Sequence, residues 1–307
     1  MPDAPALSRP APETCEDAVR DISDSDISDG RSHQSHRGVL MEDLLGKVAL
    51  VTGGGSGIGR GSALALAAAG VHVAIADVDR DRAMAVADEA SWRGTDCFGM
   101  ALDVNDLTAF ETARDVILRR LGRIDIVMNN VGVVAAGLPE EIPLHEWERT
   151  MSTNVLSIVR SNATFLPLLL EQGSGHVVNT ASAAGLFQYE YERMPYSVSK
   201  AAVIALSEAL ALYLHPRHVG VTCLCPGPVA TNIRQQMTFS GAPVRMRPPI
   251  KGMTPADPMA VGDLVVDAIR NDRFLVLTHP ELHELLVERA MDPEGFLAAR
   301  IRSIEEG

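Results

Sequence analysis

The chain has 307 residues, 46% of them hydrophobic, enough for a single large α/β core with extensions. Its formal net charge of −13 comes without a basic stripe, which argues against a nucleic-acid partner. The most apolar stretch, from Ala63 to Ala76, is interrupted by Gly70 and His72 and divides into a helix and a strand, so no membrane span is expected.

Residues 1–44 stand apart from the rest. Asp21 to Gly30 is acidic, serine-rich and without apolar periodicity, the composition of a disordered tail. The segment lacks the basic start and continuous apolar run of a secretory signal, so a cytoplasmic location is expected. Such a tail serves either as a solvated extension or as a docking or phosphorylation segment.

From residue 45 onward, strand and helix patterns alternate. Strands are predicted near Val48–Thr52, Val71–Ala76, Cys97–Leu102, Ile124–Asn129, His176–Thr180, Gly220–Cys225 and Phe274–Leu277, with helices between them. This alternation predicts an α/β fold with one doubly wound parallel sheet, of the Rossmann type, covered by helices on both faces. Residues 45–277 are assigned to that domain, and 278–307 to a C-terminal extension of two helices. The helices near Thr150–Glu171 and Pro195–Leu214 are apolar around most of their circumference, more than one sheet contact requires. A subunit interface is the expected cover.

The first predicted strand runs into a glycine-rich turn, Thr52-Gly53-Gly54-Gly55-Ser56-Gly57-Ile58-Gly59, and then into an alanine- and leucine-rich helix from Ser62 to Ala69. Glycines let a backbone approach a pyrophosphate closely, and free amides at a helix N-terminus bind phosphate oxygens. The second strand ends in Asp77. A carboxylate there accepts hydrogen bonds from the adenosine ribose hydroxyls and repels a 2′-phosphate, so NAD is expected rather than NADP. Arg60 and Arg80 are near enough in sequence to weaken that preference.

Tyr196 and Lys200 are four residues apart in a predicted helix, which puts phenol and ammonium on one face. A phenol that exchanges protons near neutrality needs its pKa lowered by roughly three units, or about 4 kcal/mol. A unit charge about 4 Å away supplies on the order of 4 kcal/mol at an effective dielectric of 20. The pair therefore points to proton transfer coupled to hydride chemistry.

Taken in order, these motifs resemble those of the short-chain dehydrogenase/reductase family, over the chain from Leu45 to its end. Thr52 to Gly59 resembles that family's cofactor turn, and Asn129-Asn130-Val131-Gly132 its N-N-A-G segment, with Val131 in place of alanine. Asn154 matches its helix asparagine, Asn179 to Gly185 the strand that carries its serine, and Pro226 to Thr231 the turn over the nicotinamide. The resemblance implies a catalytic set of Asn154, Ser182, Tyr196 and Lys200. It implies a cofactor site built from Gly53, Ser56, Gly57, Ile58, Gly59, Asp77, Asp103, Val104, Asn130, Gly132, Tyr196, Lys200, Pro226, Gly227, Val229 and Thr231. Lys200 would hold the nicotinamide ribose, and Asn154 a water leading to solvent. It also implies homodimers or homotetramers through the two apolar helices. The interval from Ser182 to Tyr196 is slightly longer than usual in the family, which keeps Thr180 as the alternative hydroxyl. Asp103 has a second reading as the cap of a helix starting near Leu107.

Residues 232–258 carry methionines, Phe239 and many prolines and are expected to form a substrate lid. With Phe187, Tyr189, Met194 and Met237 as its contacts, the substrate is expected to be a bulky hydrophobic or aromatic secondary alcohol and its ketone. Arg234, Arg245 and Arg247 offer the competing possibility of an acidic group. A non-catalytic NAD-binding redox sensor or scaffold is the alternative function. No metal is expected. Pro280 follows His279 in the His279/His283 pair, no third ligand is evident, and Cys223 and Cys225, in one predicted strand, are expected to face opposite ways.

Overall fold

The computed structural model describes residues 41–91 and 94–306, excluding the side chain of Arg234. The tail assigned to residues 1–44 thus falls almost wholly outside the described residues. Seven strands form one parallel sheet: β1 (Val48–Thr52), β2 (His72–Asp77), β3 (Phe98–Ala101), β4 (Ile126–Asn129), β6 (Gly175–Thr180), β7 (Val219–Cys225) and β9 (Leu275–Leu277). Their spatial order is β3-β2-β1-β4-β6-β7-β9, so the winding reverses between β1 and β4. Ligands bind such sheets in the crevice beyond the strand ends at that reversal. The inner strands are buried on both faces, which is why β1 and β7 read as almost uninterrupted apolar runs.

Helices cover both faces. On one, α1 (Gly57–Ala68) and α8 (Pro258–Arg270) pack closely enough that a Cβ on Gly61 would lie 2.1 Å from Pro258 O. On the other, α3 (Leu107–Leu121) meets α5 (Ser157–Gln172) through an edge-on Phe110–Phe165 pair with centroids 6.3 Å apart. The helix α7 (Met194–Leu214) brings Tyr196, Lys200, Val203 and Leu214 against the protein. With the turn that follows it, residues 194–217 are long and apolar enough by length and composition to cross a membrane, the one such helix among the described residues. Val198, Leu212 and Tyr213 remain exposed on it.

Several expectations need correcting. Helix α1 begins at Gly57, not Ser62, because the glycine turn itself supplies its first turn. Asp106, not Asp103, caps α3, accepting the Thr108 N–H at 2.8 Å; Asp103 instead closes a turn onto Asn105 N at 2.9 Å. Cys223 and Cys225 face the same way, with sulfurs 3.8 Å apart, because side chains on a strand repeat every two residues. With Cys97 they are free and buried thiols. Two short strands went unpredicted: β5 (Val134–Ala136) pairs in parallel with β8 (Met237–Phe239), which anchors the segment read as a lid.

Candidate active site

A cavity of about 1080 Å³ opens beyond the carboxyl ends of the strands, at the reversal between β1 and β4. One wall is the glycine turn. Gly57 has φ +51 and a Cβ there would meet Thr231 Cγ2 at 2.9 Å, while a Cβ on Gly59 would sit 2.1 Å from Gly53 O. The first requires a left-handed backbone and the second a bare Cα, so the spacing of the turn is dictated by close approach. Gly53, Ser56, Gly57 and Ile58 line the cavity, with Gly59 packed behind them. The Ser56 side chain makes no capping bond, and the first amides of α1 lack intrahelical partners. A phosphate would find those donors and the positive end of the helix dipole.

Asp77, at the end of β2, accepts Gly55 N–H at 3.0 Å and Asp79 N–H at 3.0 Å. Asp103 and Val104 line the same end of the cavity. Of the cations weighed from sequence, Arg60 is engaged with Glu89 at 2.7 Å, and Arg80 does not line the cavity. Arg82 does, paired with Asp79 at 2.8 Å, and sequence inspection missed it. The signal was present: Arg82 follows Asp77 by five residues, which places it on the first turn of the next helix, α2 (Arg80–Ser91).

The middle of the cavity is built from backbone and amide groups. Asn130 receives the Thr180 hydroxyl at 3.2 Å, and its backbone N–H donates to Thr52 Oγ1 at 3.0 Å. Gly132, Pro226, Gly227, Val229 and Thr231 complete this wall. Gly227 is propped from behind by residues of the C-terminal segment. Its N–H donates to Thr278 Oγ1 at 3.0 Å, and His279 carries on from Thr278 to the Thr254 carbonyl. His279 is therefore occupied as a strut. Among the described residues no group of three or more His, Cys, Asp or Glu comes together as a metal site.

At the far end Ser182, Tyr196 and Lys200 converge. Ser182 lies close enough to the Tyr196 phenol to pull its pKa down, and its hydroxyl accepts Ala184 N–H at 3.2 Å, whereas the Thr180 hydroxyl is committed to Asn130. The geometry brings Ser182, not Thr180, to the phenol. The interval to Tyr196 holds a single helical turn, α6 (Ala183–Leu186). Lys200 Nζ donates to Thr180 O at 2.7 Å and lies 5.7 Å from the Tyr196 ring centroid. Asn154 does not line the cavity; it sits in a π-helical turn, Ser152–Leu156. That distortion is common at functional positions because it turns a side chain out of register. Asn154 brackets the Val133 peptide, accepting its N–H at 2.8 Å and donating to its O at 3.0 Å, and donates to Ser199 Oγ at 2.9 Å. Ser199 donates onward to Tyr196 O at 2.7 Å.

The electrostatics differ from the expectation that Lys200 alone lowers the phenol. Burial pushes the Tyr196 phenol above its usual range, with Ser182 and then Arg193 pulling it down. Burial also pushes the Lys200 ammonium down to about 8. Both groups lose more by leaving water than this distance returns. The substrate residues divide. Tyr189 and Met237 line the cavity with Met246 and Met253; Phe187 and Met194 do not. Phe187 is a core residue, edge-on to Phe296 of the last helix at 5.8 Å, so the C-terminal extension fills the space behind the cavity wall.

A family profile described as short chain dehydrogenase matches residues 47–239. The 1-deoxy-11-beta-hydroxypentalenate dehydrogenase of Streptomyces avermitilis is 32% identical over 214 residues, which cover 69% of this chain and 76% of that protein. The probable oxidoreductase EphD of Mycobacterium tuberculosis is 31% identical over 230 residues, 71% of this chain and only 38% of that longer protein. Among solved structures, a short chain dehydrogenase/reductase from Burkholderia phymatum in complex with NAD is 30% identical, with a TM-score of 0.73 over 83% of this chain and 96% of its own.

Proposed function

The chain belongs to the short-chain dehydrogenase/reductase family of oxidoreductases, and from that premise we propose that it interconverts a neutral, hydrophobic or aromatic secondary alcohol and its ketone with NAD. The observation that carries this reading is the convergence of Ser182, Tyr196 and Lys200 at one end of a cavity whose other end is a glycine turn and Asp77. The residues present fit a dinucleotide: amides and bare glycines for the pyrophosphate, Asp77 for the ribose, and Lys200 beside the second ribose. Bound NAD supplies the hydride acceptor.

In the oxidative direction Tyr196 takes the proton of the substrate hydroxyl, and in the reductive direction it returns it. Ser182 donates to the reacting oxygen, orients it and stabilises the charge that develops there. Lys200, with an ammonium already pushed down to about 8, holds or yields a proton near neutral pH. Asn154 and Ser199 tie the Val133 loop to the Tyr196 backbone and hold the phenol in line.

Charge bookkeeping supports a neutral substrate over an acidic one. Among the described residues, each arginine lining the substrate end has its own carboxylate, Arg149 with Glu146, Arg193 with Glu190 and Arg247 with Glu192, while the Arg234 side chain lies outside them. Arg245 is exposed and away from the cavity. Tyr189, Ile233, Met237, Met246 and Met253 supply adaptable apolar surface. The exposed Leu156, Val159, Val198 and Leu212 support assembly as a homodimer or homotetramer through α5 and α7, to be checked by sedimentation.

The test is a panel of neutral secondary alcohols with NAD, followed by absorbance of the reduced cofactor, with Tyr196→Phe in parallel. Turnover that disappears in the variant supports the proposal. NAD binding without reduction by any alcohol, or in reverse by any ketone, would favour the non-catalytic sensor or scaffold.

A further inference from the structure

Arg193 occupies the position just before α7, three residues ahead of Tyr196, and its guanidinium carbon lies 5.7 Å from the phenol centroid. Lys200 Nζ stands at the same distance from that ring. The two cations are held differently. Lys200 donates to a carbonyl, Thr180 O, at 2.7 Å, with burial pushing it down to about 8. Arg193 is gripped through Nε and Nη2 by Glu190, a carboxylate only 6% exposed, and donates to the Tyr189 hydroxyl at 3.1 Å. A guanidinium keeps its positive charge in proteins. Toward the alkaline side, where Lys200 is giving up its proton, Arg193 is the cation that persists.

Resting on the reaction proposed above, we propose that Arg193 is a positioning residue for Tyr196: its guanidinium is the permanent positive charge that favours the deprotonated phenol, and Glu190 holds it in place. Other groups face the phenol as well. Ser182 stands after β6, Lys200 one turn further along α7, Tyr189 in the loop before it and Cys225 at the end of β7, with Glu190 on Arg193. Ser182 and Arg193 favour the phenolate, while burial and Cys225 oppose it. Glu190 offsets part of the guanidinium charge, so the effect of Arg193 is smaller than that of an unpaired cation.

Glu190 has a second attachment that makes this arrangement more than local. Its other oxygen accepts the backbone N–H of Arg247 at 3.0 Å, and the Arg247 side chain pairs with Glu192, itself 2% exposed. Arg247 belongs to the segment read as the substrate lid and lines the cavity with Arg193. Two buried carboxylates from the loop preceding the reacting tyrosine thus hold both that segment and the cation beside the phenol. Seating of the segment and placement of Arg193 depend on the same residue.

The experiment is an alkaline titration of tyrosinate absorbance on the full chain, with the Tyr196→Phe trace subtracted to isolate that phenol. In Arg193→Met the Tyr196 midpoint should rise by about one pH unit, the low end for a charge at this range. Because Arg193→Met strands a buried carboxylate, the double variant Arg193→Met with Glu190→Gln is measured beside it, and its midpoint should also rise. Arg193→Lys should return the midpoint toward wild type. A parallel profile of kcat/KM against pH on any alcohol found to react should move in the same direction, with NAD affinity unchanged. A Tyr196 midpoint that stays put in the folded double variant overturns the proposal. Failure of the wild-type chain to oxidise any alcohol overturns the functional reading instead, and the absorbance titration still decides the role of Arg193.

Discussion

Asp77 and Gly55 are joined by a hydrogen bond of 3.0 Å from the glycine N–H to the carboxylate, so the residue expected to read the ribose is pinned to the turn expected to hold the phosphates. A Cβ on Gly55 would lie 2.8 Å from that same oxygen. Cofactor choice and turn geometry are therefore linked through one side chain.

Asp77→Ala should lower the preference for NAD over NADP by roughly one to two orders of magnitude, since charge-assisted hydrogen bonds of this kind contribute about 1.5 to 3 kcal/mol. Asp77→Asn keeps an acceptor for Gly55 but removes the charge, which separates repulsion of a 2′-phosphate from loosening of the turn. The readout is the ratio of kcat/KM for the two cofactors. A wild-type preference for NADP would show that Arg82, on the same rim, governs this pocket.

Tyr196→Phe should remove nearly all turnover while leaving NAD affinity close to wild type, because the phenol oxygen serves the proton and not the dinucleotide. Lys200→Ala should impair both. Undiminished turnover in the first variant, or normal NAD affinity in the second, would contradict these roles.

Gly59→Ala would force a methyl group to within 2.1 Å of the Gly53 carbonyl, a backbone atom with no flexible side chain behind it to yield. Overpacking of this kind costs about 1–3 kcal/mol. A lower melting temperature together with weakened NAD binding is expected. A variant that melts and binds like wild type would show that the turn has slack.

His176 should make stability fall in mild acid. Its Nε2 faces Thr222 Oγ1 at 2.8 Å, and because that hydroxyl donates to Arg273 O, Nε2 must carry the proton. Burial then pushes the imidazole down to about 3, so the folded protein keeps it neutral where the unfolded chain protonates it. Its contribution is complete above the unfolded pKa near 6.5 and is lost progressively as pH falls toward 3. Between pH 7 and pH 5 the loss should be about 2 kcal/mol. Chemical denaturation at the two pH values should show a smaller difference in His176→Gln; an equal difference would assign the acid sensitivity elsewhere.

Much of the fold is written in local order along the chain. Strands buried on both faces give apolar runs such as Val48–Thr52, glycines mark the turn where Gly59 meets the Gly53 carbonyl, and a helical spacing sets Tyr196 beside Lys200 whatever surrounds them. Those features depend on neighbours in sequence, and the parallel order follows from their alternation. What depends on residues distant in sequence was decided only by the folded molecule. Ser182 rather than Thr180 meets the phenol because Asn130, fifty residues before Thr180, takes the threonine hydroxyl. Phe187 leaves the cavity because Phe296, over a hundred residues later, packs against it. Arg193 gains its place from a carboxylate that also holds Arg247. The direction of the Tyr196 pKa reversed for the same reason. Spacing along a helix specifies which charges are near, but the cost of leaving water is set by everything else that closes over them.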